Sequence, residues 1–98
     1  MKAADRKKRF NALAEYGCVV CRNAGYGRTW PEIHHLCGHG YSGMGKRASD
    51  EHTIPLCPVH HRFSMQGAVA YHADPKKFEK RYGTQSELLD QVNRELDL

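Results

Sequence analysis

Four cysteines and seven histidines carry most of the chemistry available to this chain of 98 residues. Two pairs share one spacing, because two residues separate Cys18 from Cys21 and two residues separate Cys57 from His60. Thiolate and imidazole groups are ligands that zinc prefers, and two such pairs supply the corners of a tetrahedral site. The spacing predicts one structural zinc ion on Cys18, Cys21, Cys57 and His60. In the alternative interpretation, one pair is incidental and the thiols are simply buried.

Two adjacent histidine pairs flank a glycine-rich loop over 38–45. His34 and His35 precede the loop, and His60 and His61 follow it. In a helix that begins at Pro58, His61 lies about 100° around the axis from His60, so it cannot easily share the zinc. His61 is then free to join His34 or His35 on a second metal. A strand, a loop, a strand and a helix that meet at one metal form the ββα-metal arrangement.

The elements that must position these residues are short. Hydrophobic spacing, proline positions and capping residues predict helices and strands in this order: helix 2–16, strand 30–36, strand 53–56, helix 58–65, helix 75–83 and helix 84–95. Asp74 before Pro75 predicts one helix start, and Thr84 with Glu87 forms a capping box at the next. The expected fold is a small α+β domain, a zinc-stapled ββα-metal finger with flanking N- and C-terminal helices.

Positive charge is concentrated near the N-terminus of a chain whose net charge is +4. We expect 1–16 to form a basic helical arm and 17–98 to form the main domain. Cations at a helix start oppose the helix dipole, so they predict either phosphate contacts or a solvated face. The residues concerned are Lys2, Arg6, Lys7, Lys8 and Arg9. With neither a signal peptide nor an apolar run of about 18 residues, the sequence favours the cytoplasm and no membrane partner.

Three segments of this sequence resemble the HNH nucleases. Glu32–Leu36 is similar to the first strand of that family, His52–Cys57 to the second strand, and Cys57–Arg62 to the run that carries zinc and metal ligands. The resemblance is closer to the phage RecA-dependent nucleases of the recombination enhancement function (Ref) family. It extends from Gly17 to about Leu89, and Phe78–Thr84 is a further matching segment.

The resemblance implies a role for each histidine of the predicted finger. His34 and His61 correspond to the ligands of a catalytic divalent metal, Mg²⁺, Mn²⁺ or another ion. His35 corresponds to the general base, and His52 to the residue that orients it. Many HNH sites have Asp in place of His34 and Asn in place of His52. Imidazole ligands suit Mn²⁺, Co²⁺, Ni²⁺ or Zn²⁺ better than Mg²⁺.

The function that follows from the resemblance is metal-dependent hydrolysis of DNA phosphodiester bonds. The expected substrate is single-stranded or D-loop DNA, and the expected partner is a RecA filament in phage recombination or repair. Lys46, Arg47 and Arg62 are candidate phosphate contacts, which would position DNA without reading its sequence. Two alternatives stay open: a RecA-independent phage HNH endonuclease, and a non-catalytic zinc-binding DNA adaptor.

Five residues near these motifs receive no catalytic or ligand role from the sequence. Asp50 and Glu51 are the carboxylates closest to the second strand and are interpreted as loop residues, the alternative being that one of them reaches the metal. Cys37 is expected to bind no metal. The sequence does not assign a role to His39 or His72.

Overall fold

A computed structural model of the chain describes residues 1–38, 40–41 and 46–98. It is a small α+β structure in which helices flank a two-stranded sheet, as the sequence predicted. His39 and 42–45 of the predicted glycine-rich loop lie outside the described residues. The elements are α1 (Ala3–Tyr16), α2 (Val19–Asn23), β1 (Glu32–His35), β2 (Thr53–Leu56), α3 (Pro58–His61), α4 (Pro75–Tyr82) and α5 (Gln85–Leu96).

The sheet is an antiparallel pair in which Glu32 faces Leu56 and His35 faces Thr53. All four residues of β2 are buried, because α1, α2 and α5 all contact this strand. β2 is therefore the central element of the core. β1, which contains His34 and His35, is paired to one edge of β2.

The side-chain caps of α4 and α5 confirm the positions at which the sequence predicted these two helices to begin. Asp74 Oδ1 accepts a hydrogen bond of 3.1 Å from the backbone amide of Lys77. Thr84 Oγ1 accepts from the amide of Glu87 at 3.1 Å, and Glu87 Oε1 accepts from the amide of Thr84 at 2.9 Å. Each such cap contributes about 1 kcal/mol of helix stability.

Helix α3 is shorter than predicted, since it ends at His61 instead of continuing to 65. The carbonyl oxygens of His60 and His61 accept hydrogen bonds from the amides of Tyr71 and His72, at 2.9 and 3.1 Å. Carbonyls committed to this returning segment are not available to the amides of the next helical turn. The same two hydrogen bonds bring His72 next to His61.

Helix α1 packs onto the rest of the fold through Arg9, Leu13 and Tyr16, which are all buried. Arg9 donates to Thr53 Oγ1 at 2.9 Å, to the Thr53 carbonyl at 2.6 Å and to Asn93 Oδ1 at 2.8 Å. The expectation that Arg9 belongs to a phosphate-facing or solvated surface is therefore wrong. Residues four and seven positions apart share a helix face, so Arg9 follows Leu13 and Tyr16 into the interior.

Within the described part of the chain, no helix combines the length and the apolar character that crossing a membrane requires.

Candidate metal centres

The first candidate centre, which we call the thiol cluster, consists of Cys18, Cys21, Cys57 and His60. All four residues are buried, and their ligand atoms lie within 4.8 Å of one another. Cys21 Sγ is 3.7 Å from Cys57 Sγ and 3.4 Å from His60 Nδ1, and Cys57 Sγ is 3.3 Å from that nitrogen. Sulfur ligands about 2.3 Å from a tetrahedral zinc lie about 3.8 Å apart. The cluster could thus hold a structural metal.

Two short helices position the ligands of the thiol cluster. Cys18 caps α2, where its Sγ accepts a hydrogen bond of 3.4 Å from the amide of Cys21. Cys57 caps α3, and Pro58 at the first helical position places His60 one turn further. Two loop-to-helix turns, 36 residues apart between Cys21 and Cys57, therefore present their side chains to one point.

Burial makes the thiol cluster a poor environment for charged groups that are not bound to a cation. It raises the pKa of the Cys18 thiol to about 12 and also raises the pKa of Cys21. It lowers the pKa of His60, which favours the neutral imidazole that a metal requires. The thiols must release their protons to bind zinc as thiolates, and the strength of that binding makes the ion a source of folding free energy.

The second candidate centre, which we call the histidine triad, consists of His34, His61 and His72. Their ring centroids are separated by 5.1 Å (His34 to His61), 5.2 Å (His34 to His72) and 4.8 Å (His61 to His72). His34 is buried, His61 is half-buried and His72 is exposed, so the triad is open to solvent on one side. Three imidazoles with an open side are a common ligand set for a catalytic metal.

Hydrogen bonds around His34 determine which of its nitrogens carries the proton. Gln85 Nε2 donates to the Cys37 carbonyl at 2.9 Å, and Gln85 Oε1 accepts from the Cys37 amide at 2.9 Å. Because the Cys37 amide donates and the Cys37 carbonyl accepts, these two hydrogen bonds determine which atom of the Gln85 side-chain amide is oxygen and which is nitrogen. Its Oε1 also lies 2.9 Å from His34 Nε2, which must then be the donor.

His34 Nδ1 is consequently the nitrogen with a free lone pair. It is buried and has no hydrogen-bond partner among the described residues. Burial lowers the pKa of His34 to about 4, so the ring is neutral at neutral pH. A buried acceptor without a partner is costly, and a metal ion bound to this nitrogen would satisfy it.

His61 is held by an acidic residue in the manner of many metal-binding histidines. Its Nδ1 lies 2.9 Å from Glu32 Oε1, which leaves Nε2 for a metal. Glu32 also accepts from Arg62 Nε at 2.8 Å and from Arg62 Nη2. These hydrogen bonds, above all that from Arg62, lower the pKa of Glu32 and keep it ionised.

His35 lies on the other side of β1 from His34, because successive side chains of a strand alternate. Its Nε2 is 2.8 Å from Asp50 Oδ1. That hydrogen bond and the charges of Arg47 and Arg6, at 3.6 and 3.7 Å from the carboxylate, lower the pKa of Asp50. The sequence treated Asp50 as a loop residue, and the structure makes it the partner of His35.

The other predicted site residues have different surroundings. The resemblance implies that His52 orients His35, but in the structure the hydrogen-bond partner of the His35 ring is Asp50. The His52 ring centroid lies 5.1 Å from that of Tyr41. Arg62 is bound to Glu32 at the edge of the triad. Lys46 and Arg47 are both exposed, and Arg47 lies 3.6 Å from Asp50. The Cys37 thiol donates to the His35 carbonyl at 3.4 Å.

His72 is the ligand candidate that the sequence did not identify. It follows His61 by eleven residues and belongs to no spaced pair. One signal was available, because the two ligands His34 and His61 are fewer than the three protein ligands of a typical catalytic zinc site.

Comparison with known proteins gives two matches. The model of a family described as "Protein of unknown function (DUF968)" matches residues 5–97. The chain is also 45% identical over 72 residues to the uncharacterized protein YdfU of Escherichia coli (strain K12). That alignment covers 74% of this chain and 17% of YdfU, so the chain corresponds to less than a fifth of that relative. Since the family model matches nearly the whole length, the chain belongs to the DUF968 family.

Proposed function

We propose that this chain is a metal-dependent DNA endonuclease built on a zinc-stapled HNH finger, and that it acts with RecA filaments on single-stranded or D-loop DNA. The observation that supports the nuclease activity most strongly is the buried His34 ring beside His61 and His72, whose Nδ1 has no hydrogen-bond partner among the described residues. A non-catalytic zinc adaptor needs only the thiol cluster. It gives no reason to bury a histidine nitrogen without a partner.

The order of elements around the triad also supports an HNH finger. His34 comes from β1, β2 pairs with β1, and His61 comes from α3 directly after β2. In this proposal the thiol cluster is the structural part of the finger. It joins α2 to the start of α3 and holds His60, the residue before the ligand His61.

His35 is the general base in this mechanism, and Asp50 positions it. The Asp50 carboxylate accepts a hydrogen bond from His35 Nε2–H, which leaves Nδ1 free to take a proton from the attacking water. A carboxylate in this place also stabilises the imidazolium that forms, as in other His–Asp pairs. His35 is the last residue of β1 and lies on the other side of the strand from His34, so the scissile phosphate would have to lie around this end of the strand to meet both His35 and the metal.

His34, His61 and His72 would hold the catalytic metal. A divalent ion on these imidazoles would supply Lewis-acid stabilisation of the phosphate and of the leaving 3′ oxygen. Arg47 lies near His35 through its contact with Asp50, and Arg62 lies near the triad through Glu32. Both guanidinium groups are exposed enough to contact phosphates on either side of the cut.

The experiment is a cleavage assay with zinc-loaded protein on labelled single-stranded, duplex and D-loop DNA. Each substrate is incubated with and without Mn²⁺ or Mg²⁺, and with and without RecA. We expect cleavage to require both the added metal and RecA. His72→Ala should abolish this cleavage but leave the fold intact, since His72 is exposed. Metal analysis should give two ions per wild-type chain and one per His72→Ala chain.

Other outcomes of this assay decide between the alternatives. Cleavage that is equal with and without RecA would make the chain a RecA-independent endonuclease. One metal per chain, with DNA binding but no cleavage under any condition, would make it an adaptor and would refute the nuclease proposal.

A further inference from the structure

A groove with exposed aromatic walls runs beside the thiol cluster. Tyr26 and Trp30 are 72% and 71% exposed, and Met65 is 54% exposed. These three side chains, together with Arg81 and Tyr82, are among the residues that line a groove with a volume of about 680 Å³. We call it the aromatic groove. Large side chains that share one concavity in this way are uncommon on a small protein without a binding partner.

Guanidinium groups accompany the rings of the aromatic groove. The Arg28 guanidinium carbon lies 5.6 Å from the Trp30 ring centroid, and that of Arg81 lies 6.0 Å from the Tyr82 ring centroid. Arg28 is fixed there, since it donates to the carbonyls of Ala14 and Glu15 at the end of α1, at 2.6 and 3.0 Å. None of the described residues that line the groove is acidic.

We infer that the aromatic groove binds a single strand of nucleic acid, with bases stacked on Trp30 and Tyr26 and phosphates beside Arg28 and Arg81. Proteins that bind single strands combine aromatic rings for the base faces with a positive surface for the backbone. Duplex DNA hides the faces of its bases, so the exposed rings fit a single strand. The arginines beside Trp30 and Tyr82 and the lack of carboxylates among the described lining residues favour a polyanion over an apolar peptide.

The groove adjoins the histidine triad along the chain. Trp30 is two residues before Glu32, the partner of His61, and two residues span at most about 7 Å. Met65 follows His61 by four residues. The inference deepens the proposed function by naming the surface that receives the strand. It is tested by binding alone, so it does not require that the chain cleaves DNA.

Trp30 is the only tryptophan in the sequence, which makes its fluorescence a direct probe of stacking. The experiment titrates a twelve-nucleotide oligothymidylate into zinc-loaded protein with no added divalent metal, and a gel verifies that the oligonucleotide stays intact. We expect saturable quenching. Matched duplex DNA should give little quenching at the same concentration.

Affinity is then measured from the anisotropy of a labelled oligothymidylate with matched variants. Stacking on one aromatic ring contributes enough that Trp30→Ala should weaken binding about 5- to 150-fold, whereas Trp30→Phe should retain most of the affinity. The control is Phe63→Ala, because Phe63 is 52% exposed and lies under Arg62 but does not line the groove. Phe63→Ala should leave the affinity unchanged.

The inference fails if Trp30→Ala binds as tightly as wild type and the wild-type tryptophan is not quenched. The groove would then belong to another partner, such as a protein. Quenching and the Trp30→Ala defect in a protein that never cuts DNA would uphold the inference and refute only the nuclease activity. DNA cleavage by a protein whose binding ignores Trp30 would refute only the inference.

Discussion

Gln85 Oε1 accepts a hydrogen bond of 2.9 Å from His34 Nε2, across 51 residues of sequence. Gln85 is the first residue of α5, and it is almost fully buried. The capping box on Thr84 and Glu87 fixes the start of α5 and thereby places this side chain. The orientation of a proposed metal ligand on β1 therefore depends on a helix start at the far end of the chain.

Replacing Gln85 should weaken metal binding at the histidine triad. Gln85→Leu removes the acceptor that keeps the proton on His34 Nε2, and loss of such a partner typically costs 10- to 100-fold in metal affinity, as an order of magnitude. Titration with Co²⁺, followed by absorption, measures this affinity. Gln91→Leu, on the same helix, is the control and should bind Co²⁺ normally. Equal affinities in the two variants would contradict the role of Gln85.

Removing a ligand of the thiol cluster should unfold the chain. Cys57→Ser takes one of four ligands from an ion whose apparent binding free energy in comparable sites is about 10–16 kcal/mol, more than the stability of most small domains. Zinc content and circular dichroism measure the result. Cys37→Ser is the matched control, because Cys37 lies outside the cluster, and it should keep both zinc and fold. A folded, zinc-free Cys57→Ser protein would be incompatible with a structural zinc site.

Variants of His35 and its neighbours test the general base. We expect His35→Ala to lower the cleavage rate about 10²- to 10⁴-fold while folding and DNA binding persist, as for other positioned bases. Asp50→Asn should also slow cleavage, because it weakens the hydrogen bond that orients the His35 ring. His52→Ala should have a smaller effect than Asp50→Asn. The reverse order would return the orienting role to His52, and near-normal cleavage by His35→Ala would move the base elsewhere.

The basic residues of α1 should separate into structural and DNA-binding positions. Arg9→Ala leaves the Thr53 carbonyl and Asn93 without their donor and should cost about 1–3 kcal/mol of unfolding free energy. Lys7→Ala with Lys8→Ala should leave stability unchanged. If both lysines contact duplex phosphates, the slope of log affinity against log salt should fall by about 0.9 for each. An unchanged slope would make them a solvated face.

Acid should destabilise the zinc-loaded fold through His34. The folded chain keeps His34 neutral down to a pKa of about 4, whereas an unfolded chain binds that proton near pH 6.5. The unfolded state therefore takes up more protons between these values, and stability is lost as the pH falls through this window. The loss is at most about 1.4 kcal/mol per pH unit. Urea unfolding at pH 7 and pH 5.5 should show a smaller loss for His34→Gln than for wild type, and identical losses would contradict the assignment.

The parts of the fold that local rules govern could be predicted from the sequence. The strand over Thr53–Leu56 and the capped starts of α4 and α5 depend on residues within a few positions of each other. The spacing of the two cysteine-containing pairs is local as well. It predicted a set of four ligands that the structure brings together.

The parts that could not be predicted depend on contacts between distant segments. His72 lies beside His34 and His61 only because the segment after Gly67 returns alongside α3. No periodic pattern in the sequence predicts that return. Asp50 and Gln85 are polar residues with no motif, and their roles come from a strand end and a helix start that tertiary packing brings together. Arg9 could have been recognised, because it shares a helix face with Leu13 and Tyr16.

The adjacency of His60 and His61 in the four-residue helix α3 has a thermodynamic consequence. An ion in the thiol cluster fixes the helix that carries His61, so part of the ordering entropy for an ion in the triad has already been lost. Linkage is reciprocal, so an ion in the triad would tighten zinc binding in the thiol cluster by the same factor. The two centres would then load cooperatively, and filling the triad would protect the zinc from a chelator.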